Sequence, residues 1–310
     1  MLLGEHAVVY DRPCIVTSID QRMFVTIEKT NDDSLLLNAP DVNVKNYKKP
    51  MAEIGTGDIP NGAKFIEIAV KNFKENYPFK GGLKIITKSQ FSAQFGFGSS
   101  SASTVCVTQA LSKLFTAKLE NNQLFDLSYK TILEIQGKGS GFDVAAAIFG
   151  GTLYFVTAGK VIKPLKIKNL PLVIGYSGIK ADTADLINKV REKANKYPQI
   201  FKIIYDQIAE LVNLAKIAIL KQDWKTLGEL IDLNQGFLDT LGVSIRNLEE
   251  MIYEARSNGA YGAKLSGAGG GDCMISLVPD SKKTAVIKAI NKFGKVIKVQ
   301  ANVEGVRVER

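Results

Sequence analysis

Apolar and polar side chains alternate one for one near the start of this chain, as in Arg22-Met23-Phe24-Val25-Thr26-Ile27-Glu28. A period of two marks half-buried strands, so the first 30 residues read as strands around the turn-prone Tyr10-Asp11-Arg12-Pro13. Residues 31–60 are polar and punctuated by Pro and Gly, which predicts a loop-rich insertion with short strands. Phe65, Ile68, Ala69 and Phe73 then recur at helical spacing and predict an amphipathic helix over 61–77. A strand at 83–87 follows, then helices at about 99–115 and 121–136. Thr152-Leu153-Tyr154-Phe155-Val156 opens a hairpin that closes near Lys163.

The period changes in the second half. Leu172-Val173-Ile174-Gly175-Tyr176 reads as a buried strand, and the stretch 184–258 as long helices. Ile203, Ile204, Ile208, Leu211, Leu214, Ala215, Ala218 and Ile219 form one helical stripe there. Strands at 272–278 and 296–299 flank a helix at 282–293. Strands first and helices later predict an α+β protein, divided near residue 170 into parts 1–170 and 171–310. No internal repeat is evident.

At 310 residues the chain can bury a substantial core in each of two domains. The net charge of +9 comes largely from dispersed lysines, without the basic and aromatic interleaving of a nucleic-acid surface. A positive field does suit small anionic substrates. Cys14, Cys106 and Cys273 are odd in number and lack CxxC spacing, so they read as reduced thiols of a cytoplasmic protein. A lone histidine, His6, cannot build a histidine-rich metal cluster. No apolar run approaches the roughly 20 residues of a membrane span. The start lacks a signal-peptide layout, and a cytoplasmic location is expected.

Candidate chemistry concentrates at glycine. Gln94-Phe95-Gly96-Phe97-Gly98-Ser99-Ser100-Ser101 lies between a strand and an apolar helix. Such a loop fits a phosphate cradle on free helical N–H groups, and it equally fits a flexible loop with a serine N-cap. No Gly-Lys-Ser/Thr follows at P-loop spacing, and the third glycine of a dinucleotide site is missing. A second cluster, Lys264-Leu265-Ser266-Gly267-Ala268-Gly269-Gly270-Gly271-Asp272, reads as a close-approach loop or as a turn between helix and strand. Asp143 precedes an apolar helix and suits either an N-cap or a carboxylate that takes a proton from a substrate hydroxyl. Glu5 and His6 sit by a strand end, and Thr183 suits a helix cap.

In this order the segments resemble the GHMP small-molecule kinases. Gly4-Glu5-His6-Ala7-Val8-Val9-Tyr10, Gly96-Phe97-Gly98-Ser99-Ser100-Ser101-Ala102 and Lys264 to Gly271 match its three motifs. Residues 173–183 and 234–244 resemble its mevalonate-kinase branch, and 136–147 its phosphomevalonate kinases. The resemblance implies a two-domain fold, with a ribosomal protein S5 domain 2-like N-terminal half and a ferredoxin-like, helix-rich C-terminal half. It implies ATP- and Mg²⁺-dependent phosphorylation of the 5-hydroxyl of mevalonate in isoprenoid synthesis, and a homodimer. The rival expectations are phosphomevalonate as acceptor and a silent nucleotide- or metabolite-binding homologue. By carry-over Asp143 is the catalytic carboxylate, and Gly96, Phe97, Gly98, Ser99, Ser100 and Ser101 hold the triphosphate. Glu5, His6, Thr183, Gly267 and Ala268 lie toward the substrate, and Ser100 and Glu134 are the metal ligands.

The chain departs from the family pattern in four places. Ser92 and Gln94 stand at the opening of the phosphate loop, where Pro and Gly are usual. Gln136 and Gly139 replace His and Pro before Asp143. The family's Mg²⁺-binding glutamate aligns with Ile132, two positions from Glu134. The lysine that usually precedes Gly-Glu-His has no counterpart in these residues, for which a start further upstream is the expected reason and Lys138 an alternative cation.

Overall fold

A computed structural model describes residues 1–309. They fall into two compact units, each interleaved in sequence: 1–20, 94–96 and 151–303 form the first, and 21–93, 97–150 and 304–309 belong to the second. The expected division at 170 is one of chain order; these packing units cut the chain differently.

In the second unit, β2 (Met23–Thr30), β3 (Ser34–Ala39), β4 (Val44–Pro50) and β5 (Gly82–Ser89) form a sheet in the order β2-β5-β3-β4. β3 runs parallel to β5, and the other pairs are antiparallel. The region expected to be an insertion is therefore integral to the sheet. Leu35, Leu37 and Ala39 alternate inward there, and a short run of three hydrophobics was hidden among Asp, Lys and Asn. Helix α1 (Asn61–Asn76) buries Ile68, Ala69 and Phe73 of the expected stripe together with Ala63, Ile66 and Val70, leaves Phe65 half-buried, and stops just before Tyr77-Pro78, where proline disfavours helix. Helices α2 (Ser99–Leu114), α3 (Asn121–Gln136) and α4 (Phe142–Phe149) complete the unit. A capping box between Glu120 and Gln123 starts α3, and Gly137 in the left-handed conformation ends it.

The first unit contains a three-stranded sheet of β1 (Pro13–Thr17), β6 (Thr152–Val156) and β7 (Val161–Leu165), with β6 central. Its second sheet combines β8 (Leu172–Tyr176), β9 (Gly262–Ser266), β10 (Cys273–Leu277) and β11 (Lys295–Ile297) in the antiparallel order β11-β8-β10-β9. Helices α5 (Thr183–Lys196), α6 (Pro198–Lys221), α7 (Trp224–Leu241) and α8 (Arg246–Ser257) follow β8, and α9 (Lys283–Ile290) separates β10 from β11. Numbered by chain position the strands lie 4-1-3-2, which is the ferredoxin-like βαββαβ arrangement. Ile204, Ile208, Leu238, Met251, Leu265 and Met274 share its core. Strand β9 had no counterpart among the expected elements. Its sequence Gly-Ala-Lys-Leu-Ser carries a lysine and three small residues, which mask a strand buried on both faces.

Candidate active site

In the second unit, the chain after β5 reaches α2 through Gly98, which adopts φ 72° and caps the helix. The cap is thus glycine, not one of the serines. Ser99, Ser100 and Ser101 form the first turn, and the first helical bond is Ala102 N–H to Gly98 O at 2.9 Å. The three serine N–H groups therefore have no intrahelical acceptor and present the positive end of the helix. Helix α4 starts in the same way, on Gly141 at φ 87°. Asp143 is the second residue of that helix, so it is not its N-cap.

The two helix starts meet at one bond. Ser101 Oγ donates to Asp143 Oδ2 at 2.7 Å, while Asp143 Oδ1 accepts from the N–H of Val144 at 3.1 Å. A Cβ at Gly98 would lie 3.4 Å from the Cβ of Asp143, so the loop backbone runs directly alongside the carboxylate. Ser101 is buried, whereas Ser99, Ser100 and Asp143 are half-buried. The Ser99 and Ser100 hydroxyls bond to nothing among the described residues, and the Ser100 carbonyl accepts from Ser103 and Thr104. Phe97 packs against Phe91 with ring centres 6.1 Å apart. This arrangement fits a polyphosphate: free N–H donors, free hydroxyls, a backbone without side chains and one carboxylate.

Glu134 is occupied elsewhere. Its carboxylate takes a bond from Lys71 Nζ at 2.6 Å and another from Asn72 Nδ2 at 3.0 Å, both from α1. Burial pushes this carboxyl up, but Lys71 and Asn72 outweigh it and hold it below the ordinary carboxylate range. Ile132 is buried within α3, and Lys138 is exposed on the loop after it. Among the described residues no three His, Cys, Asp or Glu side chains gather as a metal cluster.

In the first unit, Glu5 and His6 flank a second constellation. Lys264, fully buried on β9, donates to Glu5 Oε1 at 2.5 Å and to the Leu265 carbonyl at 2.5 Å. Glu5 Oε2 is buried with no partner among the described residues. Burial pushes the Lys264 ammonium down against the pull of Glu5. His6, at φ 60°, places Nε2 2.9 Å from the Ala268 carbonyl. A carbonyl only accepts, so Nε2 carries the hydrogen and Nδ1 is the acceptor of the neutral ring. Burial lowers the His6 pKa, against the opposing effects of Ala268 and Glu5.

Gly267 has φ 99° and open space where a Cβ would point. Thr183 is exposed as the first residue of α5, and the cap is Asp182, which accepts from Asp185 N–H at 3.0 Å. The capping role expected of Thr183 therefore belongs to its neighbour. Sequence reasoning gave Lys264 no role of its own. The available signal was a lysine inside Gly-Ala-Lys-Leu-Ser, since a cation buried in a strand demands a buried acid.

Residues 64–151 match the family description "GHMP kinases N terminal domain", and 202–296 match "GHMP kinases C terminal". The chain belongs to the GHMP kinase family. A mevalonate kinase of Pyrococcus abyssi is 32% identical over 100% of this chain and 95% of its own length. The crystal structure of Methanococcus jannaschii mevalonate kinase superposes with a TM-score of 0.82 at 29% identity, covering 96% of this chain and 94% of that one. The L. major mevalonate kinase, solved in complex with R-mevalonate, gives a TM-score of 0.80 at 25% identity over 98% and 94% of the two chains. Among the described residues no helix is long and apolar enough to cross a membrane.

Proposed function

We infer that this chain transfers the γ-phosphoryl group of ATP to the 5-hydroxyl of mevalonate. The observation that carries the transfer chemistry is the bond between Ser101 and Asp143 where two glycine-capped helix starts meet. Likeness to mevalonate kinases over the full chain supplies the acceptor.

The N–H groups of Ser99, Ser100 and Ser101 hold the phosphate oxygens, and Gly96, Phe97 and Gly98 let the backbone approach them. Asp143, fixed by Ser101, accepts the proton of the 5-hydroxyl as its oxygen bonds to the γ-phosphorus and ADP leaves. Mg²⁺, when bound, neutralises charge on the phosphates. The free hydroxyl of Ser100 suits that ion, whereas Glu134 is engaged by Lys71 and Asn72. Glu5, His6, Thr183, Gly267 and Ala268 are assigned to the acceptor, with His6 Nδ1 as a hydrogen-bond acceptor. Residues 1–170 are read as the ATP-binding part and 171–310 as the C-terminal part. We further propose a cytoplasmic homodimer, which sedimentation of the purified chain checks.

The deciding experiment offers mevalonate and phosphomevalonate separately with MgATP and identifies the product by mass spectrometry. 5-Phosphomevalonate from the first supports the reading. A diphosphate formed only from the second transfers the assignment to phosphomevalonate kinase. Ligand-induced thermal stabilisation without turnover of either assigns a binding protein.

A further inference from the structure

We propose that Asp272 is a positioning residue for this reaction, clamping the segment that leads to Thr183 against the first glycine of the phosphate loop. The proposal rests on the kinase reading above. Gly269, Gly270, Gly271 and Asp272 all adopt positive φ, and Asp272, at φ 53°, is the only one of the four with a side chain. That side chain accepts from Lys180 Nζ at 3.0 and 3.2 Å and from the Ala181 N–H at 3.1 Å. Its own N–H donates to the Ile179 carbonyl at 2.7 Å, and its carbonyl accepts from the Ser177 N–H at 2.9 Å. One residue thus binds Ser177, Ile179, Lys180 and Ala181.

The opposite side of the carboxylate supports Gly96. A Cβ there would lie 2.4 Å from Asp272 Oδ2, so the loop backbone rests on the carboxylate itself. The next residue reinforces the contact, because Cys273 Sγ donates to the Phe95 carbonyl at 3.2 Å. Gly271 approaches as closely, since its Cβ would meet the Ile179 carbonyl at 2.5 Å.

The Ser177 bond extends the β8–β10 register by one position, whereas the others belong to no helix or strand ladder. β8 ends at Tyr176, and α5 begins at Thr183 under its own cap, Asp182. Residues 178–182 lie outside both elements, and Asp272 binds three of them. A segment ordered in advance need not be ordered when the acceptor binds, so the clamp acts on affinity more than on the chemical step. Lys180, about half-exposed, shields the carboxylate on its outer side.

The test combines kinetics with native-state hydrogen exchange on the full chain. Asp272→Gly keeps a residue that tolerates positive φ but removes the carboxylate. It should raise the acceptor KM about tenfold while kcat changes less than about threefold, the loss expected for charge-assisted bonds. Asp272→Asn retains an amide oxygen for the Ala181 N–H and should stay within about threefold of wild type. Exchange across 177–182 should quicken in Asp272→Gly without any ligand. An unchanged KM, or unchanged exchange, overturns the proposal. Lys180→Met alters an exposed side chain and carries the same readouts at smaller amplitude should the glycine variant not fold. A wild-type protein that ignores mevalonate refutes the acceptor assignment alone; exchange, and KM for whichever acceptor is used, still decide the clamp.

Discussion

Ser101 and Asp143 are 42 positions apart in the sequence, yet the hydroxyl of one donates to the carboxylate of the other at 2.7 Å. The bond fixes one carboxylate oxygen, while Oδ1 accepts, among the described residues, a single hydrogen bond from the Val144 N–H. Asp143→Asn removes the proton acceptor without changing shape. Turnover should fall about a hundred- to ten-thousand-fold, the usual worth of a general base. ADP affinity and melting temperature should stay near wild type. Turnover within a factor of three would remove Asp143 from the chemistry.

Ser101→Ala tests the orienting bond itself. A carboxylate that loses its partner can still take a proton but samples the wrong geometry. A fall in kcat of about tenfold with nearly constant KM for ATP is expected. A rise in the ATP KM with unchanged kcat would instead make Ser101 a phosphate ligand only.

Ser100 and Glu134 make a paired test of the metal assignment. Ser100→Ala should raise the Mg²⁺ concentration needed for half-maximal rate. Glu134→Gln should leave that concentration unchanged and cost no more than about 1 kcal/mol of stability, because the Lys71 pair is partly exposed. The reverse pattern, measured by Mg²⁺ titration of initial rates, would return the metal to Glu134.

The Glu5–Lys264 pair is wholly buried, so its two halves should behave non-additively. Lys264→Met leaves the Glu5 carboxylate buried without a counter-charge and should destabilise the protein by about 3–5 kcal/mol. The double variant Glu5→Leu/Lys264→Met removes both charges and should recover most of that loss. Urea unfolding of the set measures both. Equal stability of Lys264→Met and wild type would mean that Glu5 finds another partner. Activity should not return in the double variant, because Glu5 is assigned to the acceptor.

Much of this arrangement could be read from residue order alone. The helix expected at 121–136 is found at the same bounds, and strand 172–176 likewise, because unbroken periodicity and capping signals define them. Strand β9 was not visible, since Ala263-Lys264-Leu265 presents no alternation. The role of the lysine appears only when Glu5, 259 positions away, is placed beside it. Strands β3 and β4 were mistaken for an insertion because β5, which joins β3 to the rest of the sheet, follows it some forty residues later and no local pattern announces a parallel pairing. Glu134 was singled out by proximity in sequence to the family's metal position, and the contact its helix face makes with Lys71 was not legible there. Both glycine clusters were legible as special backbone, but not as one neighbourhood in which Gly96 rests on Asp272.

His6 sets the expected pH response. Its pKa in the folded protein lies below the ordinary 6.5, chiefly through burial, so the unfolded chain binds the proton more readily. This group's contribution to stability is therefore full above pH 6.5 and shrinks as pH falls from there toward the folded pKa. Melting temperature should decline between about pH 7 and 5.5, and His6→Gln, which keeps an amide donor for the Ala268 carbonyl, should flatten that decline. A slope identical in the two proteins would show that His6 is free to take up a proton in the fold. The ring would then be a cation beside Glu5, and its Nδ1 could no longer accept a hydrogen bond from an acceptor hydroxyl.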